Sequence, residues 1–559
     1  MMKLLSKIRN DRFLLVLFLI VVISGIFIRL NDFSEVGYWN DDQATIPAGL
    51  MWFYPHSYFP GLNYGNPPLG DMIVGAGCML SGEDFSKVSE VKPFFYPDRF
   101  SLLGDPLSRS DTECHLPMYF FGILFFIIIV IFAFTFFSKY SALFLTSFFA
   151  FYPIVLRHSR WIKPDMIFWT FIILFIFFLL KYYYKDKQLF LILSSVFLGL
   201  AFATKFTAAM LFILAAIIVI INNKSNSLSI LKVINNKLNL SLLKNFEYSS
   251  PKKLVKEGIL FSAIFAFVSL IPYKLNPKNL FETYSIYQRF NQNLGGIQFN
   301  ILNILNGFKE FLLTLNAIET ILFLVSLIFL IKLLFKKEKT KLEIFTLILF
   351  AFLIVTFAFF PVIVSTYRAF PFLLSIIFLF ALTLEKIDKK IILSSFLVIY
   401  IVFSFIIAFY SSPYFVTKNH LICPLMPDEY NCQNNLIGFH DKLLAEYLNS
   451  VLGENETFVG YGGVMHYYIR PEQGYLDFVF EQSFYRQIGR YPTTFERAKY
   501  FSPNNQTVRY LILTPTHKGL DEESEAFQQK YKPVKIIEIN GQIVSLIYDL
   551  KNLEENGPE

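Results

Sequence analysis

Two adjacent carboxylates lie shortly after the first long apolar run of the chain. Asp41 and Asp42 follow Tyr38 and Trp39 within the segment Gly37-Tyr-Trp-Asn-Asp-Asp-Gln43. A carboxylate at the edge of a membrane cavity could take a proton from an acceptor hydroxyl, which is the task of a general base. The alternative is a solvated turn flanked by interfacial aromatic residues. Adjacent carboxylates could also bind a divalent cation such as Mg²⁺ or Mn²⁺, although no third ligand stands nearby.

Cations form the second set of candidates. Arg160 and Asp165 belong to the ionisable segment Arg157-His-Ser-Arg-Trp-Ile-Lys-Pro-Asp165, Lys205 interrupts a long apolar stretch, and Arg368 opens a later apolar block. A lysine in such a stretch needs an anion or an acidic partner unless it reaches the membrane surface. Each of these charges could also be a plain helix anchor. As functional groups, they would hold a negatively charged leaving group such as phosphate.

The candidates converge on one predicted side of the membrane. A cation that holds a leaving phosphate, with a carboxylate opposite, is the arrangement expected for displacing phosphate from an anomeric carbon. Between the acidic pair and Asn66-Pro-Pro-Leu-Gly-Asp71 lies an aromatic stretch, residues 46–58, which is interrupted by prolines. It suits short helices on the membrane surface or an ordinary aromatic-rich loop.

The amino-acid composition indicates the class of protein that must position these residues. The 559 residues are 54% hydrophobic and 17% charged, whereas a soluble globular protein carries roughly 25% charged residues. A soluble enzyme is therefore excluded. The formal charge of +7 comes from short Lys and Arg clusters between apolar blocks, which is typical of membrane topology and does not indicate nucleic acid binding.

Eleven apolar blocks are long enough to predict membrane spans. They lie near residues 13–28, 117–137, 141–157, 166–181, 189–204, 206–221, 257–272, 312–335, 342–360, 368–385 and 391–410. Basic residues before the first block predict a cytoplasmic N-terminus. A cleaved signal peptide is the alternative for that block, but no small-x-small site follows it. Residues 189–221 are split at Thr204-Lys205, because an unbroken helix would be too long and would move the Lys-rich segment 224–256 to the outside.

Two regions are predicted to lie outside the cell membrane: the loop 31–116 and the tail 411–559. The protein is therefore predicted to have a transmembrane domain, residues 1–410, and an extracytoplasmic α/β domain, residues 411–559. Within the tail, residues 510–514, 521–530 and 536–539 predict a β-α-β element.

All four cysteines fall in or beside the outer regions, which suits an oxidising compartment. Cys423 and Cys432 are expected to form a disulfide, Cys78 and Cys114 either pair or stay buried, and their spacing does not resemble a zinc site. Asn455-Glu-Thr and Asn505-Gln-Thr are glycosylation sequons or chance occurrences.

The motifs together resemble those of the GT-C glycosyltransferases, in the branch of the protein O-mannosyltransferases and lipid A aminoarabinose transferases. The resemblance covers residues 10–385 and is carried by Asp41-Asp42, Asn66-Pro-Pro-Leu, Arg160 to Asp165, and Gly199-Leu-Ala-Phe-Ala-Thr-Lys205. It implies a polytopic α-helical membrane protein of the GT-C fold. It also implies a sugar donor attached to a polyprenyl phosphate such as dolichyl phosphate, and an acceptor hydroxyl on a protein, lipid or glycan.

The resemblance also implies roles for single residues. Asp41 would be the general base with Asp42 beside it, and Asp165 would shape the acceptor or donor pocket. Lys205, with Arg160 or Arg368, would hold the lipid phosphate. Tyr38, Trp39 and Asn66 would complete the pocket. Transfer would proceed with inversion at the anomeric carbon.

The sequence departs from the family pattern in several places. Asn66 replaces the usual histidine, residues 81–115 look like an insertion, and Arg157 and Arg160 both fit one arginine position. The outer regions lack the Trp-Trp-Asp run of oligosaccharyltransferases, which disfavours transfer of a whole glycan to asparagine. A lipid-linked sugar transporter or flippase is the main alternative, although no repeat between halves is visible. A receptor-like membrane protein would explain the tail but would leave the charged residues without a task.

Overall fold

The structure is a computed structural model that describes a large part of the chain. The described residues are 11–31, 42–53, 67–86, 111–223, 251–293, 300–359, 366–387, 389–411, 441–453, 456–460, 507–513, 522–539 and 542–551. Cys423, Cys432 and the two sequon asparagines lie outside this part, so the predictions made for them stay predictions.

The described chain is mostly helical. The helices of its first half are α1 (Arg12–Leu30), α2 (Asp42–Leu50), α3 (Pro68–Met79), α4 (Asp111–Phe136), α5 (Lys139–Phe151), α6 (Pro153–His158), α7 (Asp165–Lys185), α8 (Gln188–Phe202) and α9 (Met210–Asn222). Those that follow are α10 (Pro251–Leu270), α11 (Pro277–Asn293), α12 (Leu302–Leu312), α13 (Ala317–Phe335), α14 (Lys341–Phe359), α15 (Thr366–Leu384), α16 (Lys390–Ser411), α17 (Asp441–Val451) and α18 (Glu522–Lys530).

Some of these helices have the length that a membrane span requires. Within the described residues, seven helices are long and apolar enough to cross a membrane, namely α1, α4, α7, α10, α13, α14 and α16. Shorter apolar helices cover Gln188–Phe202, Phe206–Asn222 and Leu373–Leu384. The polytopic helical fold class is thereby confirmed, whereas the count of eleven spans is not.

The predicted break in the longest apolar stretch is present. Helix α8 ends at Phe202, a 3₁₀ turn covers Phe206–Ala209, and α9 begins at Met210. Lys205 lies between them with an extended backbone. The interruption follows from the lysine, because a charged side chain inside a continuous apolar helix would be desolvated.

Helix ends that the sequence assigns to one side of the membrane meet in the structure. The contacts are Lys139 with Asp11 (2.5 Å), the Ser138 N–H with Glu385 (2.8 Å), Lys341 with the Tyr183 carbonyl (2.6 Å), Lys253 with Asp186 (2.6 Å) and Lys386 with Glu343 (3.5 Å). Each of these residues lies in a segment predicted to be cytoplasmic or, for Glu343 and Glu385, at the cytoplasmic end of a predicted span. The alternation of helix directions therefore agrees with the predicted topology, while the orientation in the membrane stays a prediction.

Two amphipathic helices were not predicted. Helices α11 and α12 fill the connection between α10 and α13, and they expose large apolar side chains such as Phe281 (69%) and Leu305 (65%). Such helices typically lie at a membrane surface. The search for continuous apolar runs missed them because their apolar residues recur at helical spacing instead.

A disulfide joins α3 to α4. Cys78 and Cys114 are bonded, both are fully buried, and they are 36 residues apart. The structure thus selects pairing over simple burial for these two cysteines. The bond fixes α3, whose first residues lie at the candidate site described below.

Removing this disulfide is expected to destabilise the helical domain. Closing a loop of this length contributes about 3 to 4 kcal/mol in the chain-entropy description. The Cys78→Ala/Cys114→Ala double variant should therefore unfold at a lower temperature than the oxidised wild type in the same detergent. Wild type treated with a reductant should match the variant, and unchanged unfolding temperatures for both would contradict the assignment.

The C-terminal region contains a small mixed sheet. Strands β1 (Glu456–Gly460), β2 (Thr507–Leu513), β3 (Lys535–Ile539) and β4 (Gln542–Asp549) form a sheet of order β1-β2-β4-β3. Strands β1 and β2 are parallel, and the other neighbours are antiparallel. The predicted β-α-β element is present as β2, α18 and β3, although β4 lies between the two strands.

An ion-pair cluster ties three strands of this sheet together. Arg509 contacts Glu456 at 2.7 Å and Asp549 at 3.2 Å. Burial acts to raise the pKa of Glu456, but the Gly453 N–H and the Arg509 guanidinium outweigh it and lower that pKa. Because the folded pKa is depressed, this contribution to stability is present above the pKa of the unfolded chain and is lost as the pH falls.

Candidate functional site

Asp165 and Lys205 form an ion pair at the candidate site. The Lys205 Nζ lies 2.6 Å from Asp165 Oδ1, and the side chains are 20% and 4% exposed. Asp165 is the first residue of α7, where a carboxylate interacts favourably with the helix dipole. The sequence predicted that Lys205 requires an anion or an acidic partner, and the structure supplies Asp165.

The loop motifs meet around this pair. The Leu69 N–H donates to the Ala203 carbonyl at 3.0 Å, which joins the start of α3 to the break after α8. A Cβ atom added to Gly70 would lie 2.3 Å from Pro164 Cβ and 3.1 Å from Thr204 Cγ2. The stretch after Asn66, the segment before Asp165 and the segment before Lys205 are therefore in contact.

Gly70 is expected to be intolerant of a side chain. Gly70→Ala would push a methyl group into the rigid ring of Pro164, so the junction must shift, and overpacking of this kind typically costs about 1 to 3 kcal/mol. Transfer activity and unfolding temperature should both fall. The matched control is Gly258→Ala in α10, where the added Cβ meets nothing within 4 Å. Equal effects of the two substitutions would contradict the close contact at the junction.

Helix α2, which begins at Asp42, packs against α3 beside this junction. Asp42 is its first residue, and near its end Gly49 lies so close to α3 that an added Cβ would be 2.1 Å from the Asp71 carbonyl oxygen and 2.7 Å from the Gly75 nitrogen. The Asp42 side chain lies outside the described part of the structure, as do Asp41 and the pocket residues Tyr38, Trp39 and Asn66. Their predicted roles stay predictions.

Arg160 faces the end of the first helix. It is fully buried, and its Nη2 donates to the Ile28 carbonyl at the end of α1. Neighbouring Arg29 is also fully buried and donates to the carbonyls of Gly25 (2.7 Å) and Phe149 (2.8 Å). In this arrangement both guanidinium groups satisfy carbonyl groups at helix ends. The predicted phosphate-binding role of Arg160 stays a prediction, as does that of Arg368, whose side chain lies outside the described part.

Further cations surround the segment between α6 and α7. The Arg157 guanidinium lies 4.3 Å from the Trp161 ring centroid, and the Lys163 amino group lies 5.0 Å from it. Buried His158 lies against the same tryptophan, with 5.3 Å between the ring centroids. This part of the site thus carries more positive than negative charge among its described side chains, as a site for an anionic group requires.

The structure places further residues at the site, to which the sequence motifs had assigned no role. Asp71 is 3% exposed in the first turn of α3, next to Gly70. On the other side, the Phe206 ring lies 5.3 Å from Tyr284 and 5.2 Å from Tyr287 of α11. Asp71 belongs to the Pro-Pro-Leu-Gly-Asp stretch, so its place beside a motif could have identified it from the sequence. The two tyrosines became visible as neighbours of Phe206, the residue after Lys205, only with the tertiary structure.

A metal site is not formed by the side chains that the structure describes. Among them, no group of three or more His, Cys, Asp or Glu residues could hold a metal ion. Because the side chains of Asp41 and Asp42 lie outside this set, a bound Mg²⁺ or Mn²⁺ stays a prediction.

The same region of the chain matches a known protein family. Residues 106–241 match the family model described as dolichyl-phosphate-mannose-protein mannosyltransferase, and both Asp165 and Lys205 lie in the matched part. The chain resembles the GT-C mannosyltransferases. This match confirms the resemblance seen in the sequence motifs and indicates a membrane glycosyltransferase. No curated protein matches the chain.

Solved structures of GT-C enzymes are similar over most of the chain. ArnT from Cupriavidus metallidurans bound to undecaprenyl phosphate is 12% identical, with 95% of this chain and 97% of that chain covered and a TM-score of 0.44. The oligosaccharyltransferase of Archaeoglobus fulgidus is 11% identical, with 95% and 73% covered and a TM-score of 0.42.

Proposed function

We propose that this protein transfers a sugar from a polyprenyl-phosphate donor to an acceptor hydroxyl on the outer side of the membrane. The observation that carries the proposal is the Asp165–Lys205 ion pair, at the junction of the loop motifs and inside the segment that matches the mannosyltransferase family. The description of that family names dolichyl-phosphate mannose. A donor of the same chemical class, a sugar on a polyprenyl phosphate, fits a membrane protein with a cationic site.

Lys205 is the proposed ligand of the donor phosphate. Its side chain is 20% exposed while that of Asp165 is 4% exposed, so Lys205 is the more accessible member of the pair. Asp165 fixes that group by a charge-assisted contact and leaves its remaining N–H donors for an incoming phosphate. Arg160 and Arg368 are the further cations proposed for the phosphate.

The reaction is an in-line displacement. Asp41 takes the proton of the acceptor hydroxyl, the acceptor oxygen forms a bond to the anomeric carbon, and the bond from that carbon to the phosphate oxygen breaks. The polyprenyl phosphate leaves with the bonding electrons, and its negative charge is balanced by Lys205. A single displacement inverts the anomeric configuration. Asp42, Tyr38, Trp39 and Asn66 complete the proposed pocket.

The proposed topology places this reaction on the outer side of the membrane. The transmembrane domain, residues 1–410, has a cytoplasmic N-terminus and carries the outer loop 31–116, and the domain formed by residues 411–559 is extracytoplasmic. The loop motifs and the C-terminal domain then share the side on which the lipid-linked donor and the acceptor meet. The acceptor class, whether protein, lipid or glycan, is left to experiment.

A flippase is the competing function, and a vesicle assay separates the two. Purified protein would be reconstituted into vesicles containing a fluorescent polyprenyl-phosphate sugar, and both polyprenyl phosphate release and quenching by a membrane-impermeant reductant would be followed. A transferase should release polyprenyl phosphate only when an acceptor is added, without accelerating exposure of the inner-leaflet lipid. Accelerated exposure without release would favour the flippase.

A further inference from the structure

The C-terminal domain is packed onto the segment that carries Asp165. Trp161, which is 4% exposed, belongs to a buried cluster that otherwise comes from the C-terminal domain. The other buried members are Leu444, Ala445, Leu448, Leu452, Phe458, Tyr510, Ile512, Ile537 and Ile547. One tryptophan of the helical domain thus packs in the same cluster as residues of α17 and of one face of the sheet.

The sheet uses its two faces differently. Along β2, Tyr510 and Ile512 belong to the cluster that contains Trp161, whereas Leu511 and Leu513 belong to a cluster on the opposite face. This alternation is expected because successive side chains of a strand point to opposite faces. The opposite face is covered by α18, where the Phe527 ring lies 5.0 Å from that of Tyr548. The face towards Trp161 is therefore a separate interface within the domain.

Trp161 is also held from the helical side. The Arg157 guanidinium and the Lys163 amino group lie over its ring, at 4.3 and 5.0 Å from the centroid. The Lys163 N–H donates to the Trp161 carbonyl at 2.7 Å, and the Trp161 N–H donates to the Arg157 carbonyl at 3.1 Å. These short-range bonds make residues 157–163 a compact turn, so a displacement of Trp161 would be transmitted along it.

The turn leads directly to the ion pair. Pro164, which restricts the backbone, follows Lys163, and Asp165 then starts α7 and contacts Lys205. Gly70 of α3 packs on Pro164 with no room for a Cβ, so the position of Pro164 also affects α3. Small displacements at a reacting centre are expensive, since a misplacement of about 1 Å can reduce a rate about 100-fold.

We propose that Trp161 is a positioning residue through which the C-terminal domain holds Asp165 against Lys205. The domain thereby keeps the phosphate-binding cation in its productive place, in addition to covering the outer side of the protein. This inference rests on the proposed transferase function for its kinetic consequence. Its structural consequence is independent of that function and can be measured separately.

Four variants test the proposal. Trp161→Ala removes the anchor, Trp161→Phe keeps an aromatic ring for the cluster and the cations, and Phe527→Ala truncates an aromatic residue on the opposite face of the same sheet. Leu448→Ala weakens the interface from the side of the domain. Amide hydrogen exchange would be measured on peptides covering residues 157–165, and transfer kinetics would be measured with a radiolabelled polyprenyl-phosphate sugar.

Trp161→Ala and Leu448→Ala should both speed exchange in residues 157–165, and Phe527→Ala should leave it unchanged. Trp161→Ala should also lower kcat/KM for the donor by about 100-fold with acceptor KM changed less than about threefold, and Trp161→Phe should restore most of kcat/KM. The proposal would be overturned if exchange were unchanged in both Trp161→Ala and Leu448→Ala. It would also be overturned if Phe527→Ala increased exchange equally. If wild type shows no transfer, the proposed function fails, and the exchange result still decides the coupling.

Discussion

Lys205→Met is expected to abolish sugar transfer, with a loss of at least about 100-fold, because it removes the cation proposed to balance the leaving phosphate. It should also destabilise the protein. The Asp165 side chain is 4% exposed, and without Lys205 its carboxylate would be left without its observed cation in a buried place. Breaking a buried pair from one side costs about 3 kcal/mol or more. Thermal unfolding in detergent and transfer from a radiolabelled donor measure the two effects.

A double variant separates the two effects. Lys205→Met/Asp165→Asn removes both charges, so most of the lost stability should return while transfer stays absent. The control is Lys278→Met, which breaks the Lys278–Glu282 pair (3.9 Å) between side chains that are 80% and 48% exposed. Exposed pairs contribute little to stability, so this variant should resemble wild type. Activity that returned together with stability in the double variant would remove Lys205 as the phosphate ligand.

Asp41→Asn is expected to lower transfer by about 100- to 10,000-fold, which is the usual contribution of a general base. The substitution keeps the shape of the side chain and removes its ability to take a proton. Unfolding temperature and donor binding should stay close to those of wild type, and kcat is the quantity that should fall. Asp42→Asn, one residue along the chain, is the matched comparison and should have the smaller effect.

The reverse ranking of these two variants would assign the base to Asp42. Full activity in both would exclude the acidic pair as the source of the base. In wild type, transfer should also fall as the pH is lowered, because the base must be ionised to accept the proton. Asp41→Asn should lose this part of the pH dependence.

Much of the fold was predictable because bilayer physics leaves a strong pattern in the sequence. Long apolar runs predicted the membrane helices, and the single Lys205 in one of them predicted the break between α8 and α9. The β-α-β order of the tail was also visible in short alternating runs. Helices α11 and α12 were missed, since an amphipathic surface helix resembles a polar loop when only continuous hydrophobicity is considered.

The site was predictable as a set of residues and not as a set of contacts. Asp165 and Lys205 were both singled out, yet their pairing across 40 positions depends on how α7 packs against α8. Arg160 was grouped with the phosphate ligands by its charge, and its contact with the Ile28 carbonyl at the end of α1 appears only in the tertiary structure. Trp161 looked like part of an anchoring segment, because no local pattern reveals that a domain nearly 300 residues later encloses it.

The most direct test of the account is transfer of radiolabelled sugar from a polyprenyl-phosphate donor by the purified protein in detergent. A crude membrane extract would supply acceptors, and Asp41→Asn would be assayed beside wild type. The account predicts that wild type moves label from the lipid to an acceptor and that the variant binds donor without transferring it. Donor binding by wild type with no transfer from any polyprenyl-phosphate sugar would contradict it.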